Sequence, residues 1–580
     1  MGQAPCLLRA QNMGEESSKL GNLAFNITTQ GAAFHPKGER PDLGYGTAGF
    51  RTKAETLDHI MYRMGILAAL RSFALGGKTV GIMITASHNP EPDNGVKLVD
   101  PLGDMLPISW EAHATKIANA SDSELGEIVT SIRFDGSGGD GSLYDKSYAD
   151  MSNGPRLLKD YPPKVFVGRD TRPSSASLAM AAIDGVSIVA RFGGQSLGVV
   201  STPQLHYAVR CSNDDSYGDS SLEGYYDKLI GAYLKFLEAA DSGPRQRYKP
   251  SVTVDCANGV GGLVMNRAMK LLKDKLAIKL VNIGDGVLNE ECGADYVKTQ
   301  QKAPKGMTAL PSSERGISFD GDADRIVYYC WSDNVFGLLD GDRIATLLAL
   351  FLQKQLSDCG IDDLHVGIVQ TAYANGASTA HVAKHIPKEC IVCAKTGVKH
   401  LHHEALTMDV GVYFEANGHG TVIFGEKFIK RVKAAEGKTA TSRPAKLLLL
   451  LREIINETVG DAFSDLLAVE AVLYALDYSA EDWLKQYSDF PNRLMKVAVK
   501  DRSVFETTDA ERICVKPEGL QDEINRLVAS VEQPARSFVR PSGTEDVVRV
   551  YAEAGTKEAM EDLAKKVAQA VYDIADGVGA

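Results

Sequence analysis

The segment GIMITASHNP, residues 81–90, changes from apolar to polar within ten residues, a pattern that recurs along the chain. Residues 81–84 have the composition of a short buried strand, and residues 85–90 that of a loop leaving its end. Ligands bind at such strand-end loops in open α/β sheets. The pattern therefore places Ser87 at a candidate site.

The same strand-to-loop plan recurs in KVFVGRDTR, SVTVDCANG, GISFDGDADR, HVGIVQTAYANG and GVYFEANGHG. Helical stretches such as EGYYDKLIGAYLKFLEAA and GDRIATLLALFLQKQL lie between them. This alternation predicts βαβ units and largely parallel sheets. Near the C-terminus, RSFVRPSGTEDVVRVYAEA sets two strand-like runs around a loop before an amphipathic helix, which predicts a separate α+β module.

A chain of 580 residues is too long for one core, and a prior of roughly 150 residues per domain suggests three to five domains. The polar stretches CSNDDSYGDSS and AAEGKTATSRP indicate seams, and FDGSGGDGS near residues 136–141 reads as a surface insertion. We predict domains over residues 1–212, 222–330, 331–440 and 456–580.

The composition excludes several classes of partner. With 63 Lys and Arg against 75 Asp and Glu, the net charge of −12 argues against nucleic acid or an anionic membrane surface as the main partner. No apolar run approaches the roughly 18 residues of a membrane span, and the N-terminus lacks a signal-peptide core. The nine cysteines are scattered, which favours a reducing compartment. We therefore predict a cytoplasmic protein.

The segment DGDADR places Asp320, Asp322 and Asp324 at alternate positions. In an extended backbone these three carboxylates face the same way, and they repel one another unless a cation lies among them. Carboxylate oxygens suit Mg²⁺. Calcium in an EF-hand loop is the competing interpretation, but Arg325 stands where that loop needs glycine and Trp331 where it needs glutamate. A solvated acidic turn is disfavoured by the apolar runs on both sides.

Ser87 by itself could be an ordinary turn residue, and it lacks the flanking glycines of a nucleophile elbow. The stretches GGKT (76–79) and EGKT (436–439) resemble the end of a P-loop motif, but both lack the first glycine of that motif. CIVC (390–393) is better explained by alternation in a strand than by zinc binding.

The segment RPSGTEDVVRV combines Arg540, Ser542, Gly543, Thr544 and Arg549. Two guanidinium groups, two hydroxyl groups and glycine-exposed backbone N–H groups can all donate to one phosphate dianion. An ordinary turn between strands would not require the two arginines.

Taken together, these segments resemble the α-D-phosphohexomutases. The resemblance is carried by YGTAGFR (45–51), TASHNP with Lys97, VGRDTRPSS, DGDADR, KTGVKH (395–400), FEANGHG (414–420) and RPSGTED, in the family's order along nearly the whole chain. It implies an α/β fold with three related α/β domains and a C-terminal α+β domain of the TATA-binding-protein-like type around a central cleft.

The resemblance also implies a role for each matching residue. The implied magnesium ligands are phosphorylated Ser87, Asp320, Asp322 and Asp324. Around the serine, His88, Lys97 and Arg51 are the basic candidates. The resemblance implies Lys97 as general acid and base and Arg51 as a phosphate-neutralising cation, whereas His88 is interpreted as a structural residue or a phosphate contact. The implied substrate-binding residues are Arg325, Lys395, Thr396, Gly397, Lys399, His400, Glu415, Asn417 and His419, with Arg540, Ser542, Gly543, Thr544 and Arg549 holding the non-reacting phosphate.

The implied activity is interconversion of N-acetylglucosamine 6-phosphate and 1-phosphate, for UDP-N-acetylglucosamine synthesis, with Mg²⁺, the phosphoserine at Ser87 and a sugar 1,6-bisphosphate activator. The segment EANGHG favours the N-acetylglucosamine branch over phosphoglucomutase or phosphomannomutase, which remain the alternatives within the family. From another class, a catalytically silent sugar-phosphate-binding protein is the alternative, although such a protein needs no serine acceptor beside a carboxylate triad. We expect a monomer whose partner is a small hexosamine phosphate.

Overall fold

The computed structural model describes residues 22–46, 48–132, 162–311, 314–542, 546–575 and 577, with the backbone alone for residue 274. The Gly-rich insertion predicted near residues 136–141 lies outside the described residues, as do residues 1–21.

The elements fall into four successive groups. After a helix at residues 22–34, the first group contains β1 (Phe50–Lys53), α1 (Asp58–Ala74), β2 (Thr79–Ile84), β3 (Asp93–Val99), α2 (Ile108–Asn119), α3 (Leu125–Ser131), β4 (Lys164–Arg169), α4 (Ser175–Val189), β5 (Gly194–Val199) and α5 (Thr202–Asn213). The second contains α6 (Leu222–Ala240), β6 (Ser251–Asp255), α7 (Gly261–Leu272), β7 (Ala277–Val281), α8 (Ala294–Gln300), β8 (Arg315–Phe319), β9 (Ile326–Ser332) and β10 (Val335–Leu339).

The third group contains α9 (Gly341–Asp358), β11 (Val366–Thr371), α10 (Gly376–Val382), β12 (Ile391–Ala394), α11 (Val398–Ala405), β13 (Val410–Phe414), β14 (Gly420–Phe424), α12 (Glu426–Glu436), α13 (Ser442–Ile454), α14 (Ala462–Leu476) and α15 (Ala480–Leu484). The fourth contains β15 (Asn492–Ala498), β16 (Glu506–Thr508), β17 (Ile513–Lys516), α16 (Leu520–Ala529), β18 (Ala535–Pro541), β19 (Val547–Ala554) and α17 (Lys557–Ile574).

The first three sheets share one spatial arrangement. Their strand orders are β1-β3-β2-β4-β5, β10-β9-β8-β6-β7 and β12-β11-β13-β14. Each contains an antiparallel hairpin, β2–β3, β8–β9 or β13–β14, whose inner strand continues into two parallel pairings. Along the chain, the hairpin precedes the two parallel strands in the first sheet and follows them in the other two. This arrangement confirms the prediction of three related α/β layers. The sheets are mixed, however, and not largely parallel as the sequence predicted, because each contains an antiparallel hairpin.

The fourth sheet differs because all its strands are antiparallel, in the order β15-β19-β18. Helices α16 and α17 pack with it around a separate hydrophobic core. This sheet confirms the predicted C-terminal α+β module.

The apolar run of the opening segment forms β2, in which every residue is buried. It pairs with β3 on one side and β4 on the other. A strand with neighbours on both sides and covered faces needs a continuous apolar sequence, and residues 80–84 supply it apart from Gly81.

The predicted boundaries in the middle of the chain need correction. Residue 330 lies inside β9, which is hydrogen-bonded to β10 in the second sheet. Residues 456–484, assigned to the C-terminal domain from the sequence, include α14, which packs in the hydrophobic core shared by the second and third sheets. Helix α14 is apolar on nearly all sides, and such a helix must be covered by protein.

A buried ion pair fixes α14 against the second sheet. Arg315 Nε donates to Glu470 Oε1 at 2.7 Å, Tyr248 Oη donates to Glu470 Oε2 at 2.8 Å, and both charged side chains are inaccessible to solvent.

None of the helices in the described part of the chain combines the length and the apolar character that a membrane span needs.

We expect Glu470→Gln to lower the free energy of unfolding by about 3–5 kcal/mol, because the substitution leaves the buried Arg315 guanidinium without its counter-charge. Asp363→Asn, which breaks a solvent-exposed pair with Arg431, is the matched control and should leave the unfolding midpoint unchanged. Urea denaturation followed by circular dichroism measures both variants. Equal midpoints for the two would contradict the assignment of Glu470 as an interdomain anchor.

Candidate active site

Four predicted motifs occupy equivalent positions, because each forms the turn of an antiparallel hairpin. TASHNP connects β2 to β3, DGDADR connects β8 to β9, EANGHG connects β13 to β14, and the phosphate motif connects β18 to β19. The four parts of the chain meet at one cavity of about 220 Å³. Its lining includes Arg51, Lys97, Asp324, Arg325, Thr396, Gly397, Lys399, Glu415, His419 and Arg540.

Ser87 is fully buried and has a φ of +51°. This left-handed conformation is unfavourable for a residue with a Cβ atom, so the surroundings must hold it. The Ser87 backbone N–H donates to Thr85 Oγ1 at 2.9 Å, and its carbonyl oxygen accepts from Arg172 Nη2 and Asn289 Nδ2, both at 2.9 Å. The loop between β2 and β3 (residues 85–92), called the serine loop below, is therefore held at the peptide groups on both sides of Ser87.

Arg172 is the centre of this support. Its guanidinium is almost completely buried and donates to the carbonyl oxygens of Asn89, Pro90 and Asp93 as well as that of Ser87, at 2.6–2.9 Å. Asp170 Oδ2 accepts from Arg172 Nε at 3.0 Å and balances the charge. A side chain with five donors in a rigid plane is suited to holding several carbonyl groups of one loop.

The three predicted aspartates converge as expected. Oxygen atoms of Asp320, Asp322 and Asp324 lie within 4.8 Å of one another, and all three residues are buried. Ser87 Oγ donates to Asp320 Oδ2 at 2.6 Å, which joins the serine directly to the triad. Thr202 Oγ1, at the start of α5, donates to Asp322 Oδ2 at 2.6 Å.

The electrostatics of the triad fit a divalent cation. Burial and the carboxylates of Asp324 and Asp322 raise the pKa of Asp320 well above its usual value. Burial alone would raise the pKa of Asp324, but Lys97 and His419 outweigh it and hold the pKa well below its usual value. Asp322 Oδ1 is buried without a hydrogen-bond partner. A cluster of oxygen ligands with an unused buried oxygen matches the chemistry of Mg²⁺.

A glycine permits the serine loop to lie close to the turn between β8 and β9 (residues 320–325), called the metal loop below. A Cβ atom on Gly321 would lie 2.7 Å from the Ser87 carbonyl oxygen, so a larger residue there would force the two loops apart. Ser87 and the aspartates could then no longer share one ligand.

Lys97 is held in its charged form. Its Nζ donates to Asp324 Oδ2 at 2.9 Å and lies 3.3 Å from Asp322 Oδ2. Burial lowers the pKa of Lys97, but the attraction of Asp324 and Asp322 raises it above the ordinary value. In this state the side chain is an ammonium group that can donate a proton.

Two further predicted residues lie next to the serine. Arg325, burial and Arg51 together lower the pKa of His88 to about 2, so its imidazole is neutral. His88 Nδ1 and Arg51 Nε are buried without hydrogen-bond partners. The Arg51 N–H group, and the His88 Nδ1 when it carries the imidazole proton, can donate to a phosphate group on Ser87.

Arg325 and His419 join the metal loop to the turn between β13 and β14 (residues 415–419), called the sugar loop below. Arg325 Nε lies 3.7 Å from Asp320 Oδ2 and from Asp324 Oδ1, close enough for ion pairing. His419 Nδ1 lies 2.7 Å from the Asp324 carbonyl oxygen and therefore donates its proton to it. His419, predicted as a sugar contact, thus also holds the metal loop.

The sugar loop is internally ordered. Glu415 Oε1 accepts from the Gly397 backbone N–H at 3.2 Å, and Asn417 Oδ1 accepts from the His419 backbone N–H at 3.1 Å. Gly397 has a φ of +119°, which an L-residue rarely adopts. Glu415 therefore reaches the cavity in a fixed orientation.

The structure separates the members of the KTGVKH motif. Thr396, Gly397 and Lys399 line the cavity. Lys399 Nζ donates to Glu111 Oε1 and to the Leu106 carbonyl oxygen, which ties the third part of the chain to the first. Two other members lie outside the cavity lining, the exposed Lys395 and the half-buried His400.

Arg540 and Arg549 are directly opposed on β18 and β19, next to their turn. Arg540 lines the cavity, and Arg549 Nε is buried without a hydrogen-bond partner. Ser542 is buried at the start of the turn, and its backbone N–H donates to the Val547 carbonyl oxygen at 2.9 Å. The predicted contributions of Gly543 and Thr544 lie outside the described residues.

Sequence reasoning missed the residues that support the site. Arg172 and Asp170 belong to the GRDTRPSS segment, whose paired charges next to a strand end were the available signal. Thr202 follows Ser201, which caps α5 in a capping box with Gln204. The sequence pattern STPQ indicates that helix start but not the contact with Asp322.

Comparisons with protein families agree with this geometry. Models of phosphoacetylglucosamine mutase AMG1 match over residues 219–327 (domain II) and 340–478 (domain III). Models of phosphoglucomutase/phosphomannomutase match over residues 66–125 (the alpha/beta/alpha domain I) and 494–570 (the C-terminal domain).

Complete relatives are also similar. The Homo sapiens phosphoacetylglucosamine mutase is 48% identical over 559 residues, which are 95% of this chain and 98% of that protein. An N-acetylglucosamine-phosphate mutase solved in its product complex, a member of the alpha-D-phosphohexomutase superfamily, has a TM-score of 0.86 at 45% identity, over 94% of this chain and 99% of its own.

A third relative is the Aspergillus fumigatus N-acetylphosphoglucosamine mutase. Its complex with GlcNAc-6P and magnesium has a TM-score of 0.83 at 44% identity, and its complex with glucose 1,6-bisphosphate has 0.84 at 43%. Both comparisons cover 95% of this chain and 99% of that chain. The family predicted from the motifs is confirmed: this chain belongs to the phosphoacetylglucosamine mutases of the α-D-phosphohexomutase superfamily.

Proposed function

We propose that this chain interconverts N-acetylglucosamine 6-phosphate and N-acetylglucosamine 1-phosphate, with Ser87 as the residue that gives and receives the phosphoryl group. The observation that carries the proposal is the position of Ser87 Oγ, 2.6 Å from a buried carboxylate triad beside a cavity that Arg540 also lines. The product would supply UDP-N-acetylglucosamine synthesis, in line with the family.

A neutral serine hydroxyl is a weak nucleophile, so the resting enzyme carries a phosphate on Ser87, placed there by a sugar 1,6-bisphosphate activator. The substrate binds with its existing phosphate at Arg540 and its free hydroxyl towards Ser87. The hydroxyl oxygen forms a bond to phosphorus while the bond to Ser87 Oγ breaks. The sugar hydroxyl gives up its proton and Ser87 Oγ takes one up, so the transfer ends with a serine hydroxyl and a sugar bisphosphate.

The sugar bisphosphate then changes its orientation in the cavity, so that the phosphate it carried originally faces Ser87. Transfer of that phosphate to Ser87 leaves the isomeric monophosphate. Loops from four parts of the chain line the cavity. They surround the intermediate on several sides, which limits its contact with water and its escape. The rigid serine loop keeps one reaction geometry for both directions of transfer.

Asp320, Asp322, Asp324 and phosphorylated Ser87 would hold Mg²⁺, which when bound supplies positive charge that stabilises the phosphoryl group in transit. Arg325 and Arg51 contribute further positive charge around the same group. Lys97 is the proposed general acid and base. As an ammonium group it can donate a proton, and it becomes a base only if its ion pairs with Asp322 and Asp324 weaken.

On the substrate side, Glu415 and His419 present oxygen and nitrogen groups to the sugar hydroxyls, and Thr396 lies beside them in the lining. The described cysteines are all free thiols, most of them buried, in line with the reducing cytoplasmic compartment that we propose. A monomeric state and the lack of a nucleic-acid partner stay predictions from the sequence.

Ser87→Ala should reduce mutase activity by more than about 1,000-fold, because no group remains to accept the phosphoryl group. Phosphorus NMR of the enzyme with Mg²⁺, trace glucose 1,6-bisphosphate and N-acetylglucosamine 6-phosphate measures the 1-phosphate formed. Ser177→Ala, at an exposed position on α4, is the matched control and should keep full activity. Turnover by Ser87→Ala near the control rate would refute the proposed role of Ser87.

Asp322→Asn should raise the Mg²⁺ concentration needed for half-maximal activity by at least about tenfold, because it removes one charge from the ligand set. Chelation with EDTA should inactivate the wild-type enzyme and added Mg²⁺ should restore it. Asp333→Asn, in the exposed β9–β10 turn, serves as the control. The metal assignment fails if both variants show the wild-type Mg²⁺ dependence.

Glucose 6-phosphate offered in a parallel tube should give the 1-phosphate more slowly than the acetamido sugar, by about tenfold or more in kcat/KM. The same NMR assay measures both rates. A preference for glucose would place the activity with phosphoglucomutase instead. No 1-phosphate from either sugar, with folded and phosphorylated enzyme, would support the silent binding protein.

A further inference from the structure

The turn between β16 and β17 contains a strained segment close to the phosphate-binding arginines. Asp509, Ala510 and Glu511 have φ values of 51°, 52° and 69°. Three successive non-glycine residues in the left-handed region are unfavourable for L-amino acids. Such strain persists where the surrounding contacts hold it, and it is concentrated at functional positions.

The Glu511 carboxylate makes two contacts that hold this segment. Its Oε1 accepts from Arg540 Nε at 2.8 Å, and its Oε2 accepts from the Thr396 backbone N–H at 3.0 Å. Less than a fifth of the Arg540 and Glu511 side chains is exposed to solvent. One carboxylate therefore joins the C-terminal module to the loop of the third sheet that lines the cavity.

The geometry of the contact leaves Arg540 able to bind an anion. A carboxylate at Nε fixes the plane of the guanidinium group, while the Nη groups are the part that binds a phosphate end-on. Burial alone would lower the pKa of Arg540, but Glu511 outweighs it and keeps the group charged.

A second contact joins the same two parts of the chain. Arg536 donates to the Ala372 and Ala374 carbonyl oxygens, and Glu553 accepts from the Gly376 backbone N–H at 3.0 Å. This contact holds the two sheets together without touching a phosphate-binding residue. Docking of the module therefore does not depend on Glu511 alone.

We propose that Glu511 is a positioning residue, which orients Arg540 for the substrate's non-reacting phosphate and couples that orientation to the Thr396 loop beside the sugar. The inference rests on the proposed function, since it takes Arg540 as a phosphate ligand. Glu511 binds Nε and a backbone N–H group, both of which it satisfies, so it acts as a bridge and not as a competitor for the phosphate.

The test compares Glu511→Ala and Glu511→Gln with the wild-type enzyme. Glu511→Ala should raise the KM for N-acetylglucosamine 6-phosphate by about tenfold with kcat within about twofold, because the orientation of Arg540 serves binding in both the ground state and the transition state. Glu511→Gln keeps one hydrogen-bond acceptor and should rescue part of the loss. Glu506→Gln, in an exposed pair with Lys516 on the same hairpin, is the matched control.

Isothermal titration of the unphosphorylated enzymes with N-acetylglucosamine 6-phosphate should show the same order of affinities. A KM that falls in Glu511→Ala would overturn the proposal, since it would make the carboxylate a competitor. An unchanged KM with a lowered unfolding midpoint would overturn it as well, by reducing Glu511 to a structural contact. A wild-type enzyme without mutase activity would refute the proposed function instead, and the titration would still measure the effect of Glu511 on binding.

Discussion

The structure depends on the burial of three carboxylates within 4.8 Å of one another. Such a cluster is unfavourable unless positive charge surrounds it, because burial and mutual repulsion both disfavour the ionised form. Lys97 and Arg325 supply part of that charge from within the chain, and the donor set fits Mg²⁺ for the rest. Ser87 lies where it can share the cation with the triad.

The repeated hairpin explains how a chain of this length builds one site. In each of the four sheets, the functional loop is a short turn between two paired strands, so its backbone is fixed by the sheet that carries it. Packing of the sheets then needs only to bring the turns together. Close approach is possible because glycines stand at the contacts, as Gly321 does against the Ser87 loop.

The two ends of the site are held in different ways. The serine loop is locked by the buried Arg172 and by Asn289 from the second group of elements, which suits a group that must transfer phosphate in line. The phosphate end is held by contacts between separate parts of the chain, such as the link from Glu511 to Thr396. A cavity that must admit and release a sugar phosphate is better served by such interdomain contacts, which can break without unfolding a sheet.

The strand-to-loop plan, the aspartate triad, the two arginines near the C-terminus and the family could be predicted from the sequence, because each depends on a short run of residues. Features that depend on residues far apart in the chain became visible only in the folded structure. It placed α14 with the middle sheets, since only packing shows which core covers an apolar helix. Only the structure shows that Lys399 pairs with Glu111 and that neighbouring arginines lower the pKa of His88. Only the structure shows that Arg172, Thr202 and Asn289 support the site, because hydrogen bonds between residues far apart in the chain leave no local sequence pattern.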